Sequence, residues 1–529
     1  MLAIVREYLW ATRILGCLLF IHQILLNQMK LLSPAAVLIA ATLTITASAQ
    51  KSADTKAADT KTEKTADSTD LPPLPADKTV KQSATIGGRA ISYDATVGSI
   101  AVRDEKGKKI AEVVFTSYVI PGDNADRPVT FAFNGGPGAA SVYLNFGAVG
   151  PKRLQFGAEG DVPSDPAVTT DNPNSWLDLT DLVFIDPVGT GFSRSLVDQD
   201  ETSKDFYASE PDIKYLSRVV YDWLMSNKRL RSPKYVMGES YGGYRAPRIA
   251  YELQTGMGVG VNGIVMVSPY LDPAAVGDGT ALSPLPWMID LPSMAAAQLE
   301  REGQLNAQTI GVVEDYTRNE FVTDLLKGPK DVAARQRLIA RVSAYTGLDT
   351  DIVSKLDGRV DASTFLREIH RKDKKIGSWY DSNVTAWDPF PGSADRQSGD
   401  PILDALIAPT TSAMVDFVTR EVGWDIHARY YALSEEVNRQ WKRGAPNDSP
   451  VSDLRKAVAN DPKMGVMIAH GYDDLACPFF GSRLIVDQMP SFGVKDRVKL
   501  DVYPGGHMFY SRPASAAAFK ADARALFQQ

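Results

Sequence analysis

Cysteine is nearly absent from this chain of 529 residues: Cys17 and Cys477 are the only two. That excludes a disulfide-stapled fold and the CxxC pairs of structural zinc sites and dithiol redox centres. Histidine is almost as scarce, so any chemistry that needs an imidazole must draw on His22, His370, His427, His470 or His507. Excess positive charge is missing too. The formal net charge is −7, which argues against a nucleic-acid-binding surface. No metal and no cofactor are expected.

What is present is ordinary globular material, 44% hydrophobic and 23% charged, enough for one large core and an inserted domain. Residues 1–49 are expected to be a targeting segment with Met29 as the true start. "MKLLSPAAVLIAATLTITASAQ" has a lysine, an apolar run and the small-residue site Ala47-Ser48-Ala49 before Gln50. The apolar run is short and interrupted for a membrane span. The rival reading is an anchor in the apolar residues 1–26, which carry Arg6 and Arg13. Residues 50–78 are poor in apolar side chains and rich in Ala, Lys, Asp, Thr and Pro, the composition of a disordered linker.

From there the chain alternates strand-like and helix-like runs. "GSIAVRD" (98–104), "AEVVFTSYVI" (111–120), "PVTFAFN" (128–134), "DLVFIDP" (181–187), "KYVMG" (234–238), "GIVMVSP" (263–269), "MGVMIAHG" (464–471) and "VKLDVYPG" (498–505) are β-branched and apolar. Several are unbroken rather than alternating, as parallel strands buried on both faces require. Helical patterns at 210–227 and 244–256 lie between them, so the fold class expected is α/β with a mostly parallel sheet. The core is expected over 79–285 and 441–529, with 286–440 a helical cap inserted before the last strands.

"MGESYGG" (237–243) carries the glycine-x-serine-x-glycine pattern between a strand-like and a helical run. There the glycines permit a sharp turn that lifts the Ser240 hydroxyl off the sheet. A serine needs a base, and the base an acid, in the chain order Ser, Asp or Glu, His. "GYDDLACP" (471–478) offers Asp473 and Asp474 after one strand, and "YPGGHMF" (503–509) places His507 after the next. "FNGGPGAAS" (133–141) follows a strand and can present backbone N–H groups to an oxyanion. It lacks the Lys-Ser/Thr ending of a phosphate loop and the GxGxxG pattern.

These stretches, with "NPNSWLDLTDLVFIDPVGTGFSRS" (172–195) and "GESYGGYRAPRIA" (238–250), resemble the serine carboxypeptidase family of α/β-hydrolases, in a bacterial-type secreted member. The resemblance spans most of residues 125–515. It implies Ser240 as nucleophile, His507 as base and Asp474 as its orienter. It implies Gly136 and Tyr241 as oxyanion donors, with Asn134 and Glu239 holding the C-terminal carboxylate of a peptide substrate. The family's second clamp glutamate falls at Ala148 here, and its first-motif cysteine at Ala139. The function implied is release of C-terminal residues from peptides through an acyl-enzyme. An esterase, amidase or acyltransferase of the same fold, or a non-catalytic peptide-binding protein, is the alternative. A periplasmic or secreted protein without stable membrane association is expected after signal cleavage. N-terminal sequencing of the mature protein is expected to read from Gln50; retention of residues 1–26 in a membrane-bound form would identify an anchor instead.

Overall fold

The structure, a computed structural model, describes residues 71–528 except 123–124, 155–163, 272–282, 397–398, 445–448 and 494–496. The expected targeting segment and all but the end of the expected linker lie outside the described residues. A ten-stranded sheet organises the chain. Strands β1 (Lys78–Ile86), β2 (Arg89–Arg103) and β3 (Lys109–Val119) pair antiparallel. Strands β4 (Val129–Phe133), β5 (Asp181–Ile185), β6 (Lys234–Glu239), β7 (Gly263–Val267), β8 (Gly465–Gly471) and β9 (Val498–Tyr503) form the parallel part. The order across the sheet is β1-β2-β3-β5-β4-β6-β7-β8-β9, with the short strand Arg194–Ser195 beside β3. The parallel pairing joins β5 to β4, β4 to β6, and then β6 through to β9.

The unbroken apolar runs are explained by two cores, one on each face. Along β8, Val466 and Ile468 enter one cluster while Met467 and Ala469 enter the other. Side chains of a strand alternate sides, so a strand covered on both sides is apolar over most of its length. The helices that cover the sheet or build the insertion include α1 (Ser209–Ser226), α2 (Tyr241–Thr255), α3 (Leu285–Arg301), α4 (Val332–Thr346), α5 (Pro401–Asp416), α6 (Val451–Asn460) and α7 (Pro513–Phe527). Leu216, Val220 and Trp223 of α1, Ile249 and Leu253 of α2, and Leu454 and Val458 of α6 fill one core. Leu406 and Met414 of α5, with Phe519 and Ala523 of α7, fill the other.

β1 and the first half of β2 escaped the sequence reading. β1 is polar along most of its length, and only Ala84 and Ile86 are buried, because it lies at the edge of the sheet. An edge strand has fewer neighbours to bury, so its pattern is weak. The span 286–440 divides in two. Leu291 and Met294 of α3, Leu338 and Val342 of α4, Phe365 and Leu366 form a core of their own. Helix α5 packs on the sheet instead. Its continuation to Glu421 makes it long and apolar enough to cross a membrane by length and composition, but Leu406, Met414, Phe417 and Val418 are buried in the sheet core.

One buried ion pair ties two helices of the same face to a strand end. Arg245 of α2 donates from Nε to Asp212 of α1 at 2.7 Å and from Nη1 to the carbonyl of Asn134 after β4 at 2.8 Å. Both side chains are almost fully excluded from solvent. The guanidinium also lies over the rings of Tyr241 and Trp441. Removing one partner of such a pair leaves a bare charge in a low-dielectric core. Asp212→Ala is therefore expected to lower unfolding free energy by about 3–5 kcal/mol, measured by urea denaturation.

Candidate active site

Four strand ends place the sequence-selected residues at one edge of the parallel sheet. β4 runs into Asn134 and Gly136, β6 into Ser240, β8 into Asp473 and Asp474, and β9 into His507. Crevices at the carboxyl ends of parallel strands are where α/β sheets hold ligands. Asn134, Gly135, Gly136, Glu239, Ser240 and His507 line one cavity there, together with Tyr143 and Met508. Tyr380, Leu403 and Leu433, from the expected cap span, line it as well.

Ser240 sits between β6 and α2 with φ 60° and ψ −120°. A non-glycine residue at positive φ costs about 1–3 kcal/mol and persists only where its surroundings over-determine it. Here the Ser240 N–H donates to the Val267 carbonyl at 2.9 Å, and its own carbonyl accepts from Gly243 and Tyr270. The turn is tight enough that a Cβ on Gly238 would lie 1.8 Å from the carbonyl oxygen of Gly242. That contact explains the first glycine of the motif.

The glycine loop after β4 lies against the start of α2. A Cβ on Gly135 would come within 2.4 Å of the Tyr241 nitrogen. Neither the Gly136 N–H nor the Tyr241 N–H has a hydrogen-bond partner among the described residues. Tyr241 opens α2, and the first N–H groups of a helix have no intrahelical acceptor. Ser141 keeps the loop in place, its N–H donating to Asp186 at 2.8 Å and its hydroxyl to the Ile185 carbonyl.

Of the two neighbouring aspartates, Asp474 reaches the histidine. His507 Nδ1 lies 2.8 Å from Asp474 Oδ2, while Asp474 Oδ1 accepts from the N–H groups of Ala476 and Cys477. This fixes Nδ1 as the protonated nitrogen and leaves Nε2 free to accept. Burial works against a charged imidazole, but Asp474 outweighs it and raises the His507 pKa above its ordinary value. The His507 N–H donates to the Tyr380 carbonyl at 2.5 Å, and the Tyr380 ring meets the imidazole edge to face.

Asp473 turns the other way, into a cluster with Glu300, Asp381 and Arg512 in which the two aspartates are buried and the other two are half-buried. Burial and the neighbouring carboxylates push its pKa well above the usual range. Burial also acts against an ionised Glu300, yet hydrogen bonds from Asp473, Arg512 and Asn383 hold it down at about 2. A protonated Asp473 donating to an ionised Glu300 satisfies both. Among the described residues the other histidines, His370, His427 and His470, do not line the cavity: His470 is buried on Ser482 with its pKa pushed down to about 3, and His427 is exposed beside Asp425.

Glu239 is buried beside Ser240, and its contacts are one-sided. Tyr510 donates its O–H to Oε2 at 2.8 Å and Asn134 donates from Nδ2 to the same oxygen at 3.2 Å. Oε1 has no partner among the described residues. Burial pushes the Glu239 pKa up to about 7, against His507, Tyr510 and Asn134, which stabilise the ion. Asn134 is itself fixed, because its Oδ1 accepts from the Leu144 N–H at 2.9 Å. The Cys477 thiol, near Ser240, is driven well above its ordinary pKa by burial and offers no thiolate.

Three residues were missed by the sequence reading: Arg245, Asp212 and Tyr510. Arg245 lies inside the quoted "GESYGGYRAPRIA", but its partner is 33 residues away, and nothing in the spacing links the two. Tyr510 follows His507 closely, yet a tyrosine there reads as core.

A serine elbow after a central parallel strand, on a sheet of this order and covered on both faces, is the α/β-hydrolase architecture. Within that class the chain belongs to the serine carboxypeptidase family, whose model matches residues 95–508. Serine carboxypeptidase-like 9 of Arabidopsis thaliana is 29% identical over 171 residues, covering 31% of this chain and 36% of that protein. Pheromone-processing carboxypeptidase kex1 of Aspergillus niger is 30% identical over 204 residues, covering 38% and 30%. The chain thus spans about a third of the length of these curated relatives. The crystal structure of Kex1(Δ)p, a prohormone-processing carboxypeptidase from Saccharomyces cerevisiae, superposes with a TM-score of 0.51 over 81% of this chain and 90% of that one. At 14% identity that likeness concerns the fold.

The two aspartates give a direct test. Asp474→Asn is expected to lower kcat on an activated ester by about 10⁴-fold, because an amide favours the wrong imidazole tautomer. Asp473→Asn, which mimics a protonated acid, is expected to leave kcat within about threefold. Steady-state kinetics of both variants check this.

Proposed function

We propose that the protein is a serine-type carboxypeptidase that releases C-terminal residues from peptides. The observation that carries this reading is the meeting, in one cavity, of Ser240 and His507 with a buried Glu239 whose Oε1 is unengaged. A plain esterase needs the first two; the third has a purpose only if the substrate brings a carboxylate.

In the proposed cycle Ser240 Oγ attacks the last peptide carbonyl and His507 Nε2 takes its proton. Asp474 holds the imidazole and stabilises its charge. The N–H groups of Gly136 and Tyr241 receive the oxyanion, at the positive end of α2. His507 then protonates the leaving amine, and water, deprotonated by the same imidazole, releases the acyl group. Asn134 and a protonated Glu239 hold the substrate's C-terminal carboxylate, so the scissile bond is the final one. A neutral carboxyl donates a hydrogen bond to the carboxylate; an ionised one repels it.

Export to the periplasm or outside the cell, directed by residues 1–49, fits this role, with the stretch from 50 up to the contacts of Pro72, Ala76 and Asp77 before β1 as the linker. The helical span 286–440 supplies Tyr380, Leu403 and Leu433 to the cavity and is proposed as the cap that selects side chains.

Ser240→Ala is expected to abolish both hydrolysis of N-blocked dipeptides and labelling by a fluorophosphonate. For the wild type, KM on a free-acid dipeptide should climb as pH rises through about 7, the pKa of Glu239. KM on the matching amide should not follow. Glu239→Gln, which donates at every pH, should flatten the free-acid profile. Equal cleavage of acid and amide, with no such rise, would remove the carboxypeptidase assignment in favour of an amidase or esterase.

A further inference from the structure

We propose that Tyr510 is the positioning residue of the carboxylate clamp: with Asn134 it pins Oε2 of Glu239 and leaves Oε1 as the oxygen that meets the peptide's C-terminal carboxylate. The proposal rests on the carboxypeptidase reading and adds a residue to it.

The geometry assigns the role. A carboxyl group has two oxygens, and a neutral one carries a single proton. Oε2 already accepts from the Tyr510 O–H at 2.8 Å and from Asn134 Nδ2 at 3.2 Å. A proton on Oε2 would face two donors, so the proton resides on Oε1. Without these contacts the carboxyl could carry its proton on either oxygen and rotate about its last torsion. With them, the neutral acid presents one O–H in one direction.

The position of Tyr510 is itself well determined. It is buried, and it lies in the turn Phe509–Ser511 that directly follows His507 and opens into α7. That turn packs against the helical turn Leu144–Val149, which carries Ala148. A single segment therefore holds both the candidate base and the residue that orients the clamp, so the two are placed together.

The phenol has a second effect with a definite sign. Tyr510 is held neutral, its own pKa far above the ordinary value through burial and the nearby Glu239, so it donates at every relevant pH. A donor to the carboxylate stabilises the ion and lowers its pKa. The other titratable groups facing Glu239 are His507, Asp474, Tyr143 and Cys477. Tyr510→Phe leaves all four in place, so a change in Glu239 titration reports the lost hydrogen bond.

The test uses the full protein, wild type and Tyr510→Phe, with two readouts. The first is infrared titration of the Glu239 carboxyl C=O stretch without substrate, identified by its loss in Glu239→Gln. Its midpoint is expected to move up by about one pH unit. The second is kinetics on an N-blocked dipeptide acid and its amide. Below both midpoints, KM for the acid is expected to rise roughly three- to tenfold, with kcat/KM for the amide unchanged within about twofold. An unmoved midpoint, or equal losses on acid and amide, would overturn the proposal. Failure of the underlying reading looks different: the wild type itself would treat acid and amide alike, while the midpoint shift would still report whether Tyr510 governs Glu239.

Discussion

The site depends on one buried cation. Arg245 has no water to turn to, so its donors must be satisfied inside the protein, and they are satisfied by Asp212 and by the carbonyl of Asn134. Those two contacts fasten α1, α2 and the glycine loop into one rigid unit. The proposed nucleophile, both proposed oxyanion donors and the clamp asparagine all belong to that unit. Hydrogen bonds that strengthen in a transition state are worth most when they need no reorganisation. A buried, bidentate arginine is a physical means of withholding that freedom.

Charge is distributed around the cavity with similar economy. Asp473 and Asp474 are chain neighbours, yet burial beside Asp381 and Glu300 pushes the pKa of one well up while the other meets an imidazole. Arg512 alone faces three acidic side chains in the first cluster, and a shared proton relieves what it does not neutralise. The cluster joins Glu300 and Asp381, of the inserted span, to Asp473 and Arg512 of the sheet domain. It thereby anchors the insertion one residue from Asp474. Glu239 and His507 favour each other's charge: His507 lowers the Glu239 pKa and Glu239 raises that of His507.

How much of this was legible varies with the range of the interaction. The runs at β4 to β8 match strands because a strand covered on both faces is buried along its whole length and so mostly apolar. The elbow was legible because its steric demand is local: Gly238 and Gly242 lie within two residues of Ser240. The choice of Asp474 over Asp473 drew on family resemblance and not on any local signal, since both aspartates occupy the same loop. β1 was not legible, because an edge strand with one half-covered face leaves little pattern. Nor was the division of the 286–440 span. The apolar character of α5 is the same whether it packs on other helices or on a sheet.

Ser240, its strand-turn-helix setting and the order Ser, Asp, His along the chain were legible in the sequence alone, because the elbow is specified by neighbours within a few positions; Asp474 was preferred to Asp473 only through the family resemblance. The tertiary structure decided which aspartate meets His507, which oxygen of Glu239 remains unengaged, and that Tyr510 and Arg245 belong to the site. Those outcomes depend on contacts between residues 33 to 271 positions apart. Local sequence pattern carries no information about such distances until the sheet has brought its strand ends to one edge.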